Sequence, residues 1–187
     1  MGYICDMAPD LNEIEVQILA ALQENPRMSV SEISRKVTAS RPTVIKILTT
    51  MMTDEKLIIS AGINARTQNY RLANVGINVL TPEARTNFIN ILDNCPKVLN
   101  IYRTTDQANM LITIFGIDEQ SITSTINCIG DLEHVEVKYS YSLGSPLKDL
   151  DIPIAIGDNS HTPCNRNCYK CMSFQNSWCS GCYTFTK

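Results

Sequence analysis

The 187-residue chain has no apolar run approaching the ~18 residues that a membrane span requires. Its first residues, MGYICDMAPD, form neither a basic leader nor a long apolar stretch, so a cytoplasmic protein with no membrane partner is expected. There is no excess of basic charge either. A net charge of −3 and a pI near 5.4 argue against a globally basic nucleic-acid binder, while leaving local patches open. Paired carboxylates, a nucleophile elbow and a phosphate loop are all missing. His134 and His161 are the only histidines, so general bases are scarce and an enzyme is not the expectation. What the chain does have is uneven. Acidic residues outnumber basic ones 11 to 5 between positions 75 and 160, and the segment 161–187 has none. Of 8 cysteines, Cys5, Cys95 and Cys128 are scattered, whereas Cys164, Cys168, Cys171, Cys179 and Cys182 crowd the C-terminus.

The first segment predicts three short helices. Asp10 and Glu13 have capping-box spacing, and Leu11, Ile14, Ile18, Leu19 and Leu22 recur on one face of a helix running to about Gln23. Asn25-Pro26 ends it. Ser29 and Glu32 repeat the box before Val30, Ile33 and Val37; Ser40 then serves as N-cap with Pro42 in the first turn and Val44, Ile47, Leu48 and Met51 as the apolar stripe. Two helices joined by Thr38-Ala39-Ser40 make a helix-turn-helix. From Lys56 onward LIISAGI and QNYRL predict a short hairpin, or a strand plus linker, in the position of a wing.

No acidic residue occurs between Ile33 and Thr53, while Arg35, Lys36, Arg41 and Lys46 are basic. Arg41, Pro42, Thr43 and Lys46 fall opposite the apolar stripe, on a face that can enter a major groove. Arg41 is the candidate for a bidentate guanine contact, Thr43 and Lys46 for base or phosphate contacts, and Ser29 and Ser40 for clamping phosphates beside helix amides. Solvated charges around a small three-helix core are the alternative.

The following stretch alternates as strand 73–80, helix 82–94, strand 97–104, strand 109–116, helix 118–129 and strand 134–143. That order predicts a ferredoxin-like βαββαβ module, an antiparallel sheet with both helices on one face. Its other face needs a cover, and a second subunit packed sheet to sheet would supply one. The fold class is therefore α+β: a winged helix-turn-helix over 8–62, a linker over 63–72, the sheet module over 73–145, a linker over 146–163 in which DIPIAI can pair as an edge strand, and a cysteine-rich tail over 164–187.

Residues from about 8 to 145 resemble the Lrp/AsnC (feast/famine) family of transcription regulators. The likeness is carried by LNEIEVQILAALQENPRMSVSEISRKVTASRPTVIKILTTMMTDEKLI and by the module that follows. It implies double-stranded DNA as a partner, a homodimer or higher homo-oligomer, and a small effector, usually an amino acid. The family usually has Gly and Asp in the turn between the second and third strands of its effector module. Here Asp106 matches and Thr105 stands in the glycine position, making Thr105 and Asp106 the implied effector-binding positions and narrowing backbone approach to a ligand.

Two C-x2-C pairs make the tail the strongest chemical signal. Cys168, Cys171, Cys179 and Cys182 suit four-thiolate coordination, with Cys164 as a fifth thiol and His161 as a further donor. Zinc, an iron–sulfur cluster and metal-free redox thiols all fit these residues, zinc being the first expectation. Arg166, Lys170 and Lys187 offer compensating charge. Cys5, Cys95 and Cys128 are each isolated, and buried packing is expected of them, Cys128 beside Ile122, Ile126 and Ile129. The expected function is a DNA-binding regulator whose tail senses metal or redox state. The alternatives are an iron–sulfur redox sensor, or a metal-binding protein or metalloenzyme without DNA binding.

Overall fold

The computed structural model describes residues 11–105, 107–153, 162, 166–179 and 181. It divides into two compact units, one ending at Ile59 and one beginning at Ser60. Among the described residues no helix is long and apolar enough to cross a membrane.

The first unit holds α1 (Glu13–Glu24), α2 (Val30–Lys36) and α3 (Arg41–Thr53). Helix α1 starts two residues later than the Asp10 cap implies. Asn12 and Glu15 form the capping box instead, each side chain meeting the other's amide, and Asp10 lies outside the described residues. The other two starts are capped by Ser29 and Ser40, as their spacing predicts. Ile18, Ile33, Val37 and Val44 close the core, with Leu22, Met28, Ile47 and Leu48 packed around them. Between α2 and α3 the chain reverses through Thr38, whose φ of 54° lies in the left-handed region, unfavourable for a β-branched residue.

The expected wing hairpin does not form. Residues 55–62 contain no strand, and β1 (Ile63–Asn64) pairs antiparallel with β6 (Asp151–Ile152) instead. Two segments that read as linkers thus meet in a clasp. Ala65 N–H donates to the Leu150 carbonyl at 2.8 Å, Asn64 Nδ2 to Asp149 Oδ1 at 3.0 Å and Ser60 Oγ to Asp151 Oδ2 at 2.9 Å, while Arg66 pairs with Asp149 at 2.9 Å. Gly62 is required here: a Cβ would stand 2.6 Å from the Ile152 carbonyl oxygen.

The rest of the second unit is the βαββαβ module. Strands β2 (Arg71–Val79), β3 (Val98–Arg103), β4 (Met110–Gly116) and β5 (Val135–Leu143) lie in the order β3-β4-β2-β5, all antiparallel. Helices α4 (Pro82–Asp93) and α5 (Glu119–Gly130) cover one face. Val75, Ile77, Val79, Ile112 and Ile114 project to that face and meet Phe88, Leu92, Ile122 and Ile129. A bulge opposite Gly76 and Ile77 shifts the register of β5, so Val135 and Val137 join the core whereas Tyr139 and Tyr141 lie on the opposite face. There the tyrosines stack at 6.2 Å, and the Tyr139 ring lies over Gly76, where a Cβ would fall 2.2 Å from it.

Replacing Thr38 by glycine removes the left-handed penalty. Thr38→Gly is expected to stabilise the first unit by about 1 kcal/mol, partly offset by the freer unfolded chain, and thermal unfolding of the full chain measures the gain.

Candidate functional site

Helix α3 presents an unbroken outward surface. Val44 and Met51 are buried and Ile47 and Leu48 half-buried, which leaves Arg41, Pro42, Thr43, Ile45, Lys46, Thr49 and Thr50 exposed. Its first turn holds no acid. Ser40 Oγ accepts from the Thr43 amide at 3.3 Å and lies 2.7 Å from Thr43 Oγ1, so both hydroxyls stand at the helix start beside Arg41. Neither Arg41 nor Lys46 has an ion-pair partner among the described residues, whereas Lys36 is joined to Glu24. The cation surface is therefore narrower than the four basic residues suggest, with Arg41 and Lys46 at its centre.

Ser29 is differently placed. It is exposed, but its hydroxyl donates to Glu32 Oε2 at 2.6 Å and its amide to the same oxygen at 2.8 Å. Those bonds, the hydroxyl's first, hold the Glu32 carboxyl below its ordinary range, with Arg35 adding to the effect. A phosphate at the start of α2 would meet that carboxylate. Sequence reasoning missed Ile45. It is 52% exposed in the middle of the outward face, where an apolar side chain can touch a thymine methyl; its signal was an isoleucine outside the apolar stripe.

On the second unit, Thr105 is exposed in the turn between β3 and β4, and Asp106 lies outside the described residues. Of the tail cysteines, Cys164 and Cys182 also lie outside them, as does His161. Cys168 sits in a 3-10 turn (Cys168–Lys170), Cys171 stands at the N-cap of α6 (Met172–Gln175) and Cys179 follows. Cys168 is buried, Cys171 and Cys179 half-buried.

The three do not stand apart from the sheet module. They share a cavity of about 60 Å³ with Cys95 and Cys128, walled by Ile91, Leu92, Ile129 and Phe174 and edged by Lys97 and Arg166. Cys95 packs against the sheet core as expected, and both it and Cys128, each half-buried, also line this cavity. Arg166 fastens the arrangement. Its guanidinium bonds Asp131 Oδ2 at 2.9 Å just beyond the end of α5, and it lines the same cavity as Cys128 and Cys171. The Cys171 thiol is held below its ordinary range, chiefly by the Phe174 amide and further by the Ser173 amide and Arg166, against the opposing effect of burial. Among the described residues, no three His, Cys, Asp or Glu side chains are placed to share one metal ion.

Residues 11–49 match the AsnC-type helix-turn-helix domain family. Over these residues the chain is similar to AsnC-type helix-turn-helix domains. The fold of the chain beyond the AsnC-type segment is also found in solved structures. The leucine response regulatory protein LrpA of Mycobacterium tuberculosis superposes with a TM-score of 0.66 at 17% identity, covering 76% of this chain and 100% of its own. AsnC of Escherichia coli gives 0.58 at 17%, covering 76% and 99%. A transcriptional regulator of Neisseria meningitidis in complex with L-methionine gives 0.57 at 21%, covering 76% and 96%. The chain has no sequence match among curated proteins.

Within the AsnC-type segment, the Ser29–Glu32 box has a pH signature. The Glu32 carboxyl is depressed in the fold, so its stabilising contribution is present above its unfolded pKa and is lost as pH falls through the folded value. In Ser29→Ala its titration should move up toward the ordinary carboxylate range, as followed by NMR of the Glu32 side chain; an unmoved titration would refute the assignment of cause.

Proposed function

We propose that the chain is a sequence-specific DNA-binding transcription regulator of Lrp/AsnC type, working as a homodimer or larger homo-oligomer. One observation carries the reading. The acid-free outward face of α3 sets Arg41, Thr43 and Lys46 at the entry of an AsnC-type helix-turn-helix, with Ser40 beside them. Arg41 reads a base edge, Lys46 and the Ser40 and Thr43 hydroxyls hold phosphates, Pro42 fixes the first turn and Ile45 adds an apolar touch in the groove. Ser29 is the weaker of the two serine candidates for a phosphate, since Glu32 occupies both its hydroxyl and its amide.

The sheet module supplies the pairing. Its face opposite the helices carries Tyr139, Tyr141, Leu111 and Phe115, and the half-exposed Tyr102 at its edge extends the same surface. A second copy covering that face brings two helix-turn-helix units to one duplex, which suits half-sites a helical turn apart. The similarity to the Neisseria protein solved with L-methionine supports a small-molecule effector, with Thr105 and Asp106 the positions to examine. The tail cysteines Cys164, Cys168, Cys171, Cys179 and Cys182 hold a metal. Zinc and an iron–sulfur cluster both accept such a donor set, and bound metal tunes the placement of the paired units.

Two measurements test this. Arg41→Ala with Lys46→Ala should weaken binding to a selected duplex at least tenfold, and the loss of Lys46 should flatten the slope of log affinity against log salt by about 0.9, for the one phosphate no longer neutralised. Unchanged affinity and slope would end the DNA reading. Tyr141→Glu, which places a charge on the pairing face, should shift the chain toward monomer in sedimentation velocity; an unaltered assembly would move the interface elsewhere.

A further inference from the structure

We propose that the groove on the outer face of α5, crossed by Trp178, is a binding site for a neutral disaccharide. The site is built from the tail and the sheet module together, and it rests neither on the thiols nor on Thr105 and Asp106.

One wall is a stripe along α5. Gln120, Thr123, Asn127 and Asp131 recur at helical spacing, so they share one face of the helix and its C-terminal cap, and all four are exposed. The side-chain amides of Gln120 and Asn127 have no hydrogen-bond partner among the described residues. Thr123 Oγ1 donates to the Glu119 carbonyl at 3.0 Å and keeps its lone pairs for a ligand. The other wall is the tail, which supplies Ser173, Arg166 and Trp178. Trp178 is 57% exposed, and its backbone is fixed. The Trp178 and Cys179 amides both donate to the Ser173 carbonyl, at 2.8 and 3.0 Å, once Ser177 has taken a left-handed φ of 60°. Such a turn is strained for a residue with a Cβ, and here it holds an indole in the open instead of in a core. Two cavities, of about 260 and 300 Å³, adjoin at Gln120 and Trp178. Together they reach the volumes that hold small ligands, ~300 Å³ and above.

The lining selects the ligand. Among the described residues, the charged side chains of the first cavity are Arg166 and Asp131, joined at 2.9 Å. That of the second is Asp118, which caps α5 by accepting from the Ser121 amide at 2.7 Å. An anion would meet two carboxylates and a cation would meet Arg166, so the groove suits an uncharged molecule. Side-chain amides and hydroxyls each offer both a donor and an acceptor, as sugar hydroxyls do, whereas a nucleobase presents a fixed order of a few groups along one edge. The row from Gln120 to Asn127 is about 10 Å long at ~1.5 Å per residue, the length of two linked sugar rings and more than one base edge spans. The negative face of the exposed indole attracts the weakly positive C–H groups on the flat side of a sugar ring, and covering it removes apolar surface from water.

Trp178 is the sole tryptophan of the chain, so intrinsic tryptophan fluorescence reports on this groove alone. The full chain is titrated with maltose, cellobiose, lactose, mannobiose and diacetylchitobiose, and with adenosine, a hexose phosphate and L-methionine as comparison probes. Calorimetry repeats each titration for the native chain and for Trp178→Ala, Gln120→Ala and Asn127→Ala, with circular dichroism as the folding control. Expected is a saturable emission change with at least one disaccharide, its affinity falling at least tenfold in Trp178→Ala and at least threefold in each α5 variant. A response to adenosine and to no disaccharide would overturn the sugar class. A hexose phosphate or L-methionine that changes the Trp178 emission at lower concentration than every disaccharide would overturn the choice of a neutral ligand. No response to any disaccharide, or affinity indifferent to all three substitutions, would overturn the site itself. Should Trp178→Ala fail to fold, the Gln120 and Asn127 variants, which remove exposed side chains, decide.

Discussion

Helix α5 is packed from two sides. Ile122 and Ile129 enter the core against β2 and β4, while Ser124, Thr125 and Cys128 border the cavity that the tail closes. The Thr125 hydroxyl is returned to the Ser121 carbonyl at 2.8 Å, so a polar stripe is buried without loss of hydrogen bonding. Most of the second unit's chemistry depends on this double coverage. Without the tail, the outer stripe of α5 would face water and Arg166 would no longer bring Asp131, Cys128 and Cys171 together. The Arg166–Asp131 pair is partly solvated, so it acts more as a locator than as a source of stability.

Electrostatics divides the molecule by task. Helix α3 keeps acid out of its first turn and exposes two cations that have no ion-pair partner among the described residues, so a net-acidic chain still offers a local attraction for phosphate. At the start of α2 the opposite choice is made, Glu32 closing the capping box and supplying negative charge where a helix N-terminus favours it. One helix start is thereby spent on stability and the next is left open for recognition.

Much of this is legible in the sequence, because it depends on short-range rules. The Ser29–Glu32 box, Ser40 with Pro42, and the order of strands and helices in the sheet module all follow from spacing within a few residues. At the start of α1, Asp10–Glu13 and Asn12–Glu15 have the same separation, so spacing does not choose between them; the structure uses the second pair. The wing is illegible for a different reason. Ile63 lies in a stretch with a strand pattern and Ile152 in the DIPIAI stretch that can pair as an edge strand, but they are far apart along the chain and nothing local matches one to the other. Cys95 and Cys128 share that difficulty: as isolated residues they have no motif, and only the fold sets them beside the tail. Ile45 does leave a sign, since an isoleucine opposite a complete apolar stripe has no core to enter.

The β1–β6 clasp has a consequence for how the chain can be divided. Ala65 is buried and Ile63 half-buried where residues 149–152 meet them, so the sheet module is a closed loop of chain whose two ends are stitched to each other. A fragment stopping at the last long strand, near Leu143, would strip one side of that seam and expose Ile63 with its backbone amides. A recombinant sheet module should therefore begin by Ser60 and extend beyond Ile152. Protease sites inside 144–150 would open the seam without cutting any strand of the main sheet.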